Sequence, residues 1–142
     1  MASDRAPYRE IEHTADLGIE ITAADLPGLF TAAGEALYSL IADSQTIESR
    51  EARNISVTGD DPEDLLHAWL RELLALFNLE GFVGKQCEIA HISDGTVRGR
   101  VRGEILDPKR HAFYTEIKGV TYHDFRMWQE TSGWHARIIF DV

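Results

Sequence analysis

The chain has 142 residues, of which 44% are hydrophobic and 27% are charged. This length and composition are typical of one globular domain, and they exclude a disordered chain, a collagen and a disulfide-stapled mini-protein. The 24 acidic residues outnumber the 14 lysines and arginines, which gives a net charge of −10. A negative field repels nucleic acids and anionic membranes, so we expect no membrane partner and only local contact with a nucleic acid.

Cysteine content and hydropathy predict the compartment. The one cysteine, Cys87, excludes an internal disulfide, which fits a reducing environment. We predict that Cys87 is buried and unreactive, with the neighbouring Glu88 raising its pKa; the alternative is a nucleophile. No apolar run approaches the ~20 residues that span a bilayer, and residues 1–7 lack the apolar core of a signal peptide. We therefore predict a cytoplasmic protein with a loose arm over residues 1–7 and a single domain over residues 8–142.

The first half of the chain alternates between strand and helix patterns. Residues 8–13 and 17–21 predict two strands, the second from its period-two alternation of apolar residues. Apolar residues at helical spacing predict a helix to about residue 42 and another over residues 62–78, with a strand over residues 54–58 between them. The predicted N-caps of the two helices are Asp25 and Asp61.

The second half of the chain changes to a strand period throughout. The predicted extended segments are residues 82–92, 97–102, 113–122, 125–129 and 134–140. Turn residues at 93–95 and 131–133 predict hairpins, and consecutive hairpins imply antiparallel pairing. Two amphipathic helices need an apolar sheet face to cover. The fold class predicted is therefore α+β, a two-layer sandwich of a mostly antiparallel sheet with two helices packed on one face.

The first candidate site is the segment Glu12-His13-Thr14-Ala15-Asp16 between the first two strands. The chain carries no glycine-rich phosphate loop, no dinucleotide fingerprint and no Cys/His spacing typical of zinc. This acidic turn is therefore the first candidate for a functional site. A carboxylate with an imidazole and a hydroxyl nearby suits a hard cation or acid–base chemistry. The alternative is that Asp16 caps a turn and His13 packs on a sheet edge.

The second candidate is the segment Lys118-Gly119-Val120-Thr121-Tyr122-His123-Asp124. In an extended segment Lys118 and Tyr122 share one face, whereas His123 lies on the other. Gly119 permits a close approach of another backbone. The alternative is that Lys118 is an ordinary solvated lysine.

The third candidate is the end of the sequence, Phe140-Asp141-Val142. The amphipathic strand that precedes it would hold the Asp141 side chain and the Val142 α-carboxylate in place. Both groups are ionised at pH 7, so they repel each other unless a cation or a base neutralises them. The alternative is a solvated tail.

One basic cluster interrupts this acidic sequence. Arg98, Arg100 and Arg102 alternate along a predicted strand and so project from one of its faces. Such a row usually solubilises a face and protects a sheet edge. The alternative is a docking stripe for an anion or a partner.

These motifs together resemble the archease family. The matching pieces are residues 8–16 (YREIEHTAD), 69–74 (WLRELL), 118–123 (KGVTYH) and the closing Asp141-Val142, in that order. The resemblance implies a small α+β protein that is not an enzyme. It implies a protein cofactor of an RtcB-type RNA ligase, which promotes guanylylation and multiple turnover of the ligase in tRNA splicing and RNA repair.

The resemblance also implies the functional residues. A divalent cation, calcium in the first place with magnesium or manganese as alternatives, would bind Asp16, Asp141 and Val142. Lys118, together with His13 and His123 from the same motifs, would serve partner contact and activation. RNA would be met only through the ligase. Two other functions stay open: a stand-alone metal-dependent hydrolase that uses the same carboxylates, and an RNA-binding module, which the net charge disfavours.

Overall fold

The structure, a computed structural model, describes residues 7–12 and 16–142. Within these ranges the chain forms two α-helices, one short 3-10 helix and eight β-strands. In chain order the helices and strands are β1 (Tyr8–Glu12), β2 (Asp16–Ala23), α1 (Leu26–Ile41), β3 (Glu51–Thr58), α2 (Pro62–Glu80), β4 (Phe82–Ser93), β5 (Thr96–Ile105), β6 (Gly119–Val120), β7 (Arg126–Glu130) and β8 (Gly133–Asp141). The predicted arm lies outside the described residues except for Pro7, so the division at residue 8 stays a prediction.

The first sheet is organised around β8. Its strand order is β1-β2-β8-β6, and β7 pairs with β8 as well. Strand β2 pairs antiparallel with β8 along its whole length, from Asp16 opposite Asp141 to Ala23 opposite Trp134. On the other side of β8, β7 pairs with its first half and β6 with its last residues. One strand therefore connects segments from both ends of the sequence.

The second sheet has the order β3-β5-β4 and is also antiparallel. The predicted α+β class with antiparallel strands and two helices is confirmed, but the strands divide between two sheets where the sequence suggested one. Period-two patterning identifies a strand and its buried face, whereas the choice of neighbour depends on packing of the whole chain. The second sheet also changes the interpretation of the arginine row, because β5 is its central strand. Arg98, Arg100 and Arg102 protect no edge.

Both helices begin where the sequence predicted. The Asp25 carboxylate accepts a hydrogen bond from the Gly28 N–H at 2.8 Å, and the Asp61 carboxylate accepts one from the Asp64 N–H at 2.8 Å. Each aspartate thereby satisfies an N–H that has no partner within its helix. Helix α2 ends at Gly81, which adopts the left-handed conformation with φ of 75°. Of the helices in the described ranges, none combines the length and the apolarity needed to cross a membrane.

One apolar core joins both sheets through the helices. Helix α1 contacts β2 and β8 of the first sheet and β4 of the second, and α2 contacts β6 and all three strands of the second sheet. Trp69 of α2 lies fully buried at the centre, and its indole N–H donates to the Phe30 carbonyl of α1 at 3.0 Å. The Tyr38 hydroxyl of α1 donates to the Leu73 carbonyl of α2. These two bonds satisfy the polar atoms of large core side chains and fix the helices against each other.

The segment over residues 113–122 differs from its prediction as a strand. Only Gly119–Val120 forms a strand there, apart from an isolated bridge between Phe113 and Ala42. The Tyr114 N–H instead donates to the Ile41 carbonyl at 2.7 Å, at the end of α1. That carbonyl belongs to the last turn of a helix and has no partner within it. The first part of the segment therefore forms its backbone hydrogen bonds with a helix terminus, which a strand period in the sequence does not reveal.

Cys87 is buried, as predicted. Burial raises the pKa of its thiol above the ordinary value, and the nearby carboxylate of Glu35 raises it further. The sequence neighbour Glu88 was the wrong carboxylate: Glu35 of α1 reaches the strand and accepts a hydrogen bond from the Cys87 N–H at 3.0 Å. A thiol that resists ionisation in this way is a weak nucleophile.

A buried polar cluster anchors the chain after β5. Glu104 is 2% exposed, and its carboxylate accepts hydrogen bonds from the Glu48 N–H at 2.6 Å, from Arg110 and from His111 Nε2 at 2.9 Å. The Asp107 N–H donates to His111 Nδ1 at 2.7 Å, so the neutral ring carries its proton on Nε2 and donates it to Glu104. The cluster ties the turn after β5 to the segment before β3.

The carboxyl of Glu104 has a lowered pKa. Burial alone raises the pKa of a carboxyl, but here the hydrogen bonds from Glu48, Arg110 and His111 outweigh it and lower the pKa to about 2. A group with a lowered pKa in the folded state stabilises the fold at pH values above its unfolded pKa. That contribution is lost as the pH falls from about 4.5 through about 2.

We expect Glu104→Gln to lower the free energy of unfolding at pH 7 by about 1.5–3 kcal/mol, because a charged acceptor is replaced by a neutral one. The difference from the wild type should shrink as the pH falls from 4.5 towards 2, where the native carboxylate is itself protonated. Urea unfolding across this pH range measures both effects. Glu88→Gln on the exposed face of β4 is the control and should stay within about 0.5 kcal/mol of the wild type. A difference between Glu104→Gln and the wild type that stays constant with pH would contradict the linkage.

Candidate functional site

Three separate motifs converge at one end of the first sheet. Asp16, the first residue of β2, lies directly across from Asp141, the last residue of β8. On the other side of β8, Gly119 is the cross-strand partner of Asp141. The Lys118 N–H donates to the Asp141 carbonyl at 2.7 Å. The structure thus brings together Asp16, Asp141 and Lys118, the residue before β6. The residue patterns gave three separate candidates, and the family resemblance joined Asp16 and Asp141 in one cation site.

The two carboxylates of this site have no basic partner among the described residues. Among the described residues, neither Asp16 nor Asp141 has a salt bridge or a side-chain hydrogen bond to a basic group. Cross-strand neighbours in a sheet have Cβ atoms about 4.5–5.5 Å apart, and like charges in that position destabilise the pair. The pair is therefore a place where a bound cation would relieve repulsion.

Gly119 leaves room beside the Asp141 carboxylate. A Cβ on Gly119 would lie 3.5 Å from Oδ2 of Asp141, which is already van der Waals contact, so any longer side chain would crowd that oxygen. No group of three or more His, Cys, Asp or Glu side chains that could hold a metal occurs in the described part of the chain. A cation here would thus rest on two side-chain carboxylates and on donors of another kind, such as backbone oxygens or the α-carboxylate of Val142, a residue that is 42% exposed.

Of the two histidines predicted to contact a partner, the structure describes only one. His13 lies outside the described residues, so its role stays a prediction. His123 lies in the turn after β6 with an exposed side chain, and its Nε2 is 3.4 Å from Oδ2 of Asp124. The turn itself is closed by the Phe125 N–H, which donates to the Tyr122 carbonyl at 3.3 Å. Within it Asp124 adopts φ of 56°, an uncommon conformation that aspartate tolerates better than most residues. The structure assigns His123 a place in the turn and no contact with the carboxylate pair.

A buried histidine of α2 holds the Lys118 segment, and the sequence analysis missed it. His67 is 1% exposed, and its Nε2–H donates to the Val120 carbonyl at 2.9 Å. The Tyr122 ring stacks on the imidazole with centroids 3.7 Å apart, and Phe125 meets it edge-on. Burial lowers the pKa of His67 and keeps the ring neutral, although the bond to Val120 opposes that shift. The sequence does contain a sign of this role, because His67 is a polar residue within the apolar run of α2.

The His67 contact matters because β6 is only two residues long. Nδ1 of His67 is buried and has no hydrogen-bond partner among the described residues. The ring therefore contributes one directed hydrogen bond, to Val120, and a stacking surface for Tyr122. Together they fix the backbone on both sides of Thr121 and so position Lys118 and Gly119 next to Asp141.

A shallow groove borders the site. It has a volume of about 410 Å³ and lies between the C-terminal half of α2 and the Lys118–Val120 backbone. Its lining includes Arg71, Leu74, Asn78 and Leu79. Leu79 is 84% exposed, which is unusual for a large apolar side chain on a helix whose other leucines are buried or half-buried. The groove offers a partner an apolar contact beside two basic groups, Arg71 and Lys118.

The comparisons with known proteins agree over almost the whole chain. The model of the Archease protein family matches residues 8–142. Protein archease of Methanopyrus kandleri is 37% identical over 139 residues, which cover 96% of this chain and 99% of that protein. Protein archease of Pyrococcus abyssi is 34% identical over 139 residues, which cover 95% and 98% of the two chains.

Solved structures resemble this fold as well. The solution structure of protein 1598 of Methanobacterium thermoautotrophicum superposes with a TM-score of 0.82 at 29% identity, covering 96% of this chain and 99% of that one. The crystal structure of an archease from Thermotoga maritima, described as a possible chaperone, superposes with a TM-score of 0.67 at 20% identity, covering 94% and 96%. The second likeness shows a shared fold alone.

We expect His67→Phe to keep the aromatic stacking but to leave the Val120 carbonyl without its donor. The free energy of unfolding should fall by about 1–3 kcal/mol. Amide hydrogen exchange should accelerate at Lys118 and Thr121, whose N–H groups bond to β8 at 2.7 and 3.0 Å, more than in the core of α2. Tyr122→Phe, which retains the stacked ring, is the control and should exchange like the wild type. Equal exchange at Lys118 and Thr121 in His67→Phe and wild type would show that another contact positions the segment.

Proposed function

This chain belongs to the archease family, and we propose that it acts as a non-enzymatic protein cofactor of an RtcB-type RNA ligase. In this role it promotes guanylylation and multiple turnover of the ligase in tRNA splicing and RNA repair, while the bond-forming chemistry takes place on the ligase. The observation that supports this most directly is the convergence of Asp16, Lys118 and Asp141 at one end of the first sheet. The family resemblance assigns function to these same three positions.

We propose that Asp16, Asp141 and the Val142 α-carboxylate hold a divalent cation. These donors are hard oxygens, which calcium, magnesium and manganese prefer. Calcium is the ion that the resemblance implies, and it takes 6–8 oxygen ligands, so three protein groups leave positions for water or for a partner. The bound cation would neutralise the carboxylates and offer an electropositive point to an oxygen of the ligase or its nucleotide.

Lys118 is suited to contact that partner. Its side chain is exposed, and no carboxylate of the described residues pairs with it. The adjacent groove adds Arg71 and the exposed Leu79. Charged groups at a rim mainly affect the rate and specificity of association, whereas apolar anchors contribute more of the affinity. The groove and Lys118 together form a face on which the ligase could dock beside the cation.

The described residues favour a cofactor over the stand-alone hydrolase. The one thiol, Cys87, is buried with a raised pKa, which disfavours it as a nucleophile. The carboxylate pair lies at an open sheet end beside an exposed lysine, without an enclosing pocket of the kind that usually holds a small substrate. An exposed cation with an open coordination shell suits insertion into the active site of another protein.

We expect the purified chain to have no ligation or nucleotidyl-transfer activity, and to raise multiple-turnover ligation when it is added to an RtcB-type ligase. Lys118→Ala should abolish most of this activation while the free energy of unfolding changes by no more than about 0.5 kcal/mol, because a solvated lysine contributes little to folding. Lys109→Ala, in the exposed loop after β5, is the matched control and should activate normally. Covalent labelling of this chain alone by radioactive GTP, or normal activation by Lys118→Ala, would refute the proposal. Metal-dependent hydrolysis by the chain alone would support the hydrolase instead.

We expect Asp16→Asn and Asp141→Asn each to weaken divalent-cation binding by about tenfold or more, because affinity depends on the charge of the ligands. The fold should persist, since each change also removes repulsion within the pair. An extension beyond Val142 should act similarly, because it converts the α-carboxylate to a neutral amide. Calorimetric titration with calcium, magnesium and manganese measures these affinities, and thermal unfolding with and without the ion measures the linked stabilisation.

Asp94→Asn is the control for the cation experiment. Asp94 lies in the hairpin turn between β4 and β5, where Asn-Gly is as favourable as Asp-Gly. Its replacement removes the same charge from a distant position and should leave cation affinity unchanged. Equal affinities in the wild type and in all three altered proteins would remove Asp16, Asp141 and Val142 from the site.

A further inference from the structure

The solvent face of the second sheet carries a column of three arginines. Arg98, Arg100 and Arg102, here called the arginine column, alternate along β5 with the buried Val97 and Val101. Alternate residues on a strand lie about 6.8 Å apart, so the column presents positive charges at even intervals along a line. Because β5 is the central strand, both of its sides are occupied by neighbours and the column runs down the middle of the face.

The charge of the column is mostly uncompensated. Glu88 on β4 is the only acidic side chain among its cross-strand partners, and it pairs with Arg102 at 3.4 Å. Within the described residues, no carboxylate lies in ion-pairing distance of Arg98 or Arg100. Arg9, Arg50, Arg53 and Arg110 have carboxylate partners, whereas Arg71, Arg126 and Arg137, like Arg98 and Arg100, have none among the described residues. Arg98 and Arg100 differ from the other unpaired arginines in being neighbours on one strand face, where Glu88, the cross-strand partner of Arg100, is turned to Arg102.

The neighbours of the column leave a groove for a ligand. The cross-strand partners on β3 are the small or neutral residues Ala52, Asn54 and Ser56, all exposed. A groove of about 490 Å³ lies over this part of the sheet, and its lining includes Asn54, Ser56, Glu88, Arg98 and Arg100. The Asn54 amide oxygen already accepts a hydrogen bond from Arg100 Nε at 3.3 Å, which leaves the outer nitrogens of that guanidinium free to donate to a ligand.

We propose that the arginine column binds the phosphodiester backbone of a nucleic-acid strand. Guanidinium groups match phosphate oxygens in geometry and can donate two hydrogen bonds to one phosphate. Evenly spaced charges in a line suit a linear polymer with an anion at every repeat. The exposed face contains no Phe, Tyr or Trp on which bases could stack. The column therefore contacts the sugar–phosphate backbone without preference for a base sequence, and we expect similar affinities for RNA and DNA strands.

An acidic protein segment and an anionic membrane suit this face less well. Protein interfaces depend on aromatic or large apolar anchors that fill pockets, whereas the exposed residues beside the column are Ala52, Asn54 and Ser56 on β3 and Gln86, Glu88 and His91 on β4. Membrane association of this type adds apolar groups that insert below the head groups, and the face has none. Charge and shape together favour a nucleic-acid strand.

This inference goes beyond the proposed function. The family resemblance implies that RNA contacts this chain only through the ligase. The arginine column would instead bind RNA directly and weakly, on the second sheet. The overall negative charge opposes any approach of a polyanion, so binding should be modest and should be strongest at low salt. The contact needs neither the cation site nor a ligase, so it can fail or succeed independently of the proposed function.

The test is fluorescence anisotropy with labelled oligouridylate and oligothymidylate of about 12 nucleotides, a length within the usual range of single-strand sites. With three phosphates neutralised, the slope of log affinity against log salt should be about −2, so affinity should fall about 20-fold between 50 and 200 mM salt. Arg98→Ser combined with Arg100→Ser should lower the affinity at 50 mM salt at least tenfold and reduce the slope to about −0.7. The two oligonucleotides should bind within about twofold of each other.

Arg9→Ser combined with Arg126→Ser is the matched control. Both double variants carry a net charge of −12, since −10 − 2 = −12, so a purely global electrostatic effect would weaken binding equally. We expect the control to stay within about twofold of the wild type, and cooperative thermal unfolding of each variant confirms that it is folded. The proposal is overturned if the wild type does not bind at 50 mM salt or if the control loses as much affinity as the column variant. Tighter column-dependent binding of polyglutamate or of phosphatidylserine vesicles would also overturn it, in favour of an acidic protein or a membrane.

Discussion

The antiparallel pairing of β2 with β8 is the constraint on which the candidate site depends. Eight consecutive residue pairs set its register, and the last of them places Asp16 opposite Asp141. A slip of one residue would turn every side chain of β2 to the other face, which would expose Ile19 and Ile21 and separate the carboxylates. Burial of these isoleucines therefore enforces the geometry of a polar site at the end of the same strand. Because β6 also pairs with β8, the position of Lys118 follows from this register as well.

Polar contacts support the parts of the chain that lack regular structure. Between β5 and β7 the only strand is two residues long, so this stretch depends on side chains for its position. Glu104 and His111 fix its beginning from the end of β5, and His67 fixes its later part from α2. Glu104, His111 and His67 are all buried, and each is hydrogen-bonded through the atom that holds the segment in place. A low-dielectric interior requires such bonds for buried polar groups. The segment that carries Lys118 is thus held at both ends by polar contacts with the rigid framework.

The two sheets present chemically opposite surfaces. One end of the first sheet gathers carboxylates that have no basic partner in the described part of the chain, which suits a cation. The solvent face of the second sheet gathers arginines with a single carboxylate, which suits an anion. The helices lie between the two sheets and contact both, so a single apolar core carries both surfaces. In an acidic chain this separation keeps a local positive face away from the carboxylate pair, whose charge would otherwise cancel it. The two surfaces can therefore be altered independently, which makes the matched variants informative.

The sequence by itself determined what depends on local order. Asp25 and Asp61 marked the helix starts because a cap needs only the next few residues, and apolar periods marked the buried faces of β2 and α2. The motifs around Asp16 and Lys118 and at the end of the sequence were sufficient to identify the family. Only the tertiary structure decided which strands are neighbours, because pairing depends on packing between residues far apart in the chain. It divided the strands into two sheets, made β5 a central strand and brought His67 to Val120. It also divided the apparent strand over residues 113–122: Tyr114 bonds to the unpaired Ile41 carbonyl at the end of α1, whereas Lys118 and Thr121 bond to β8.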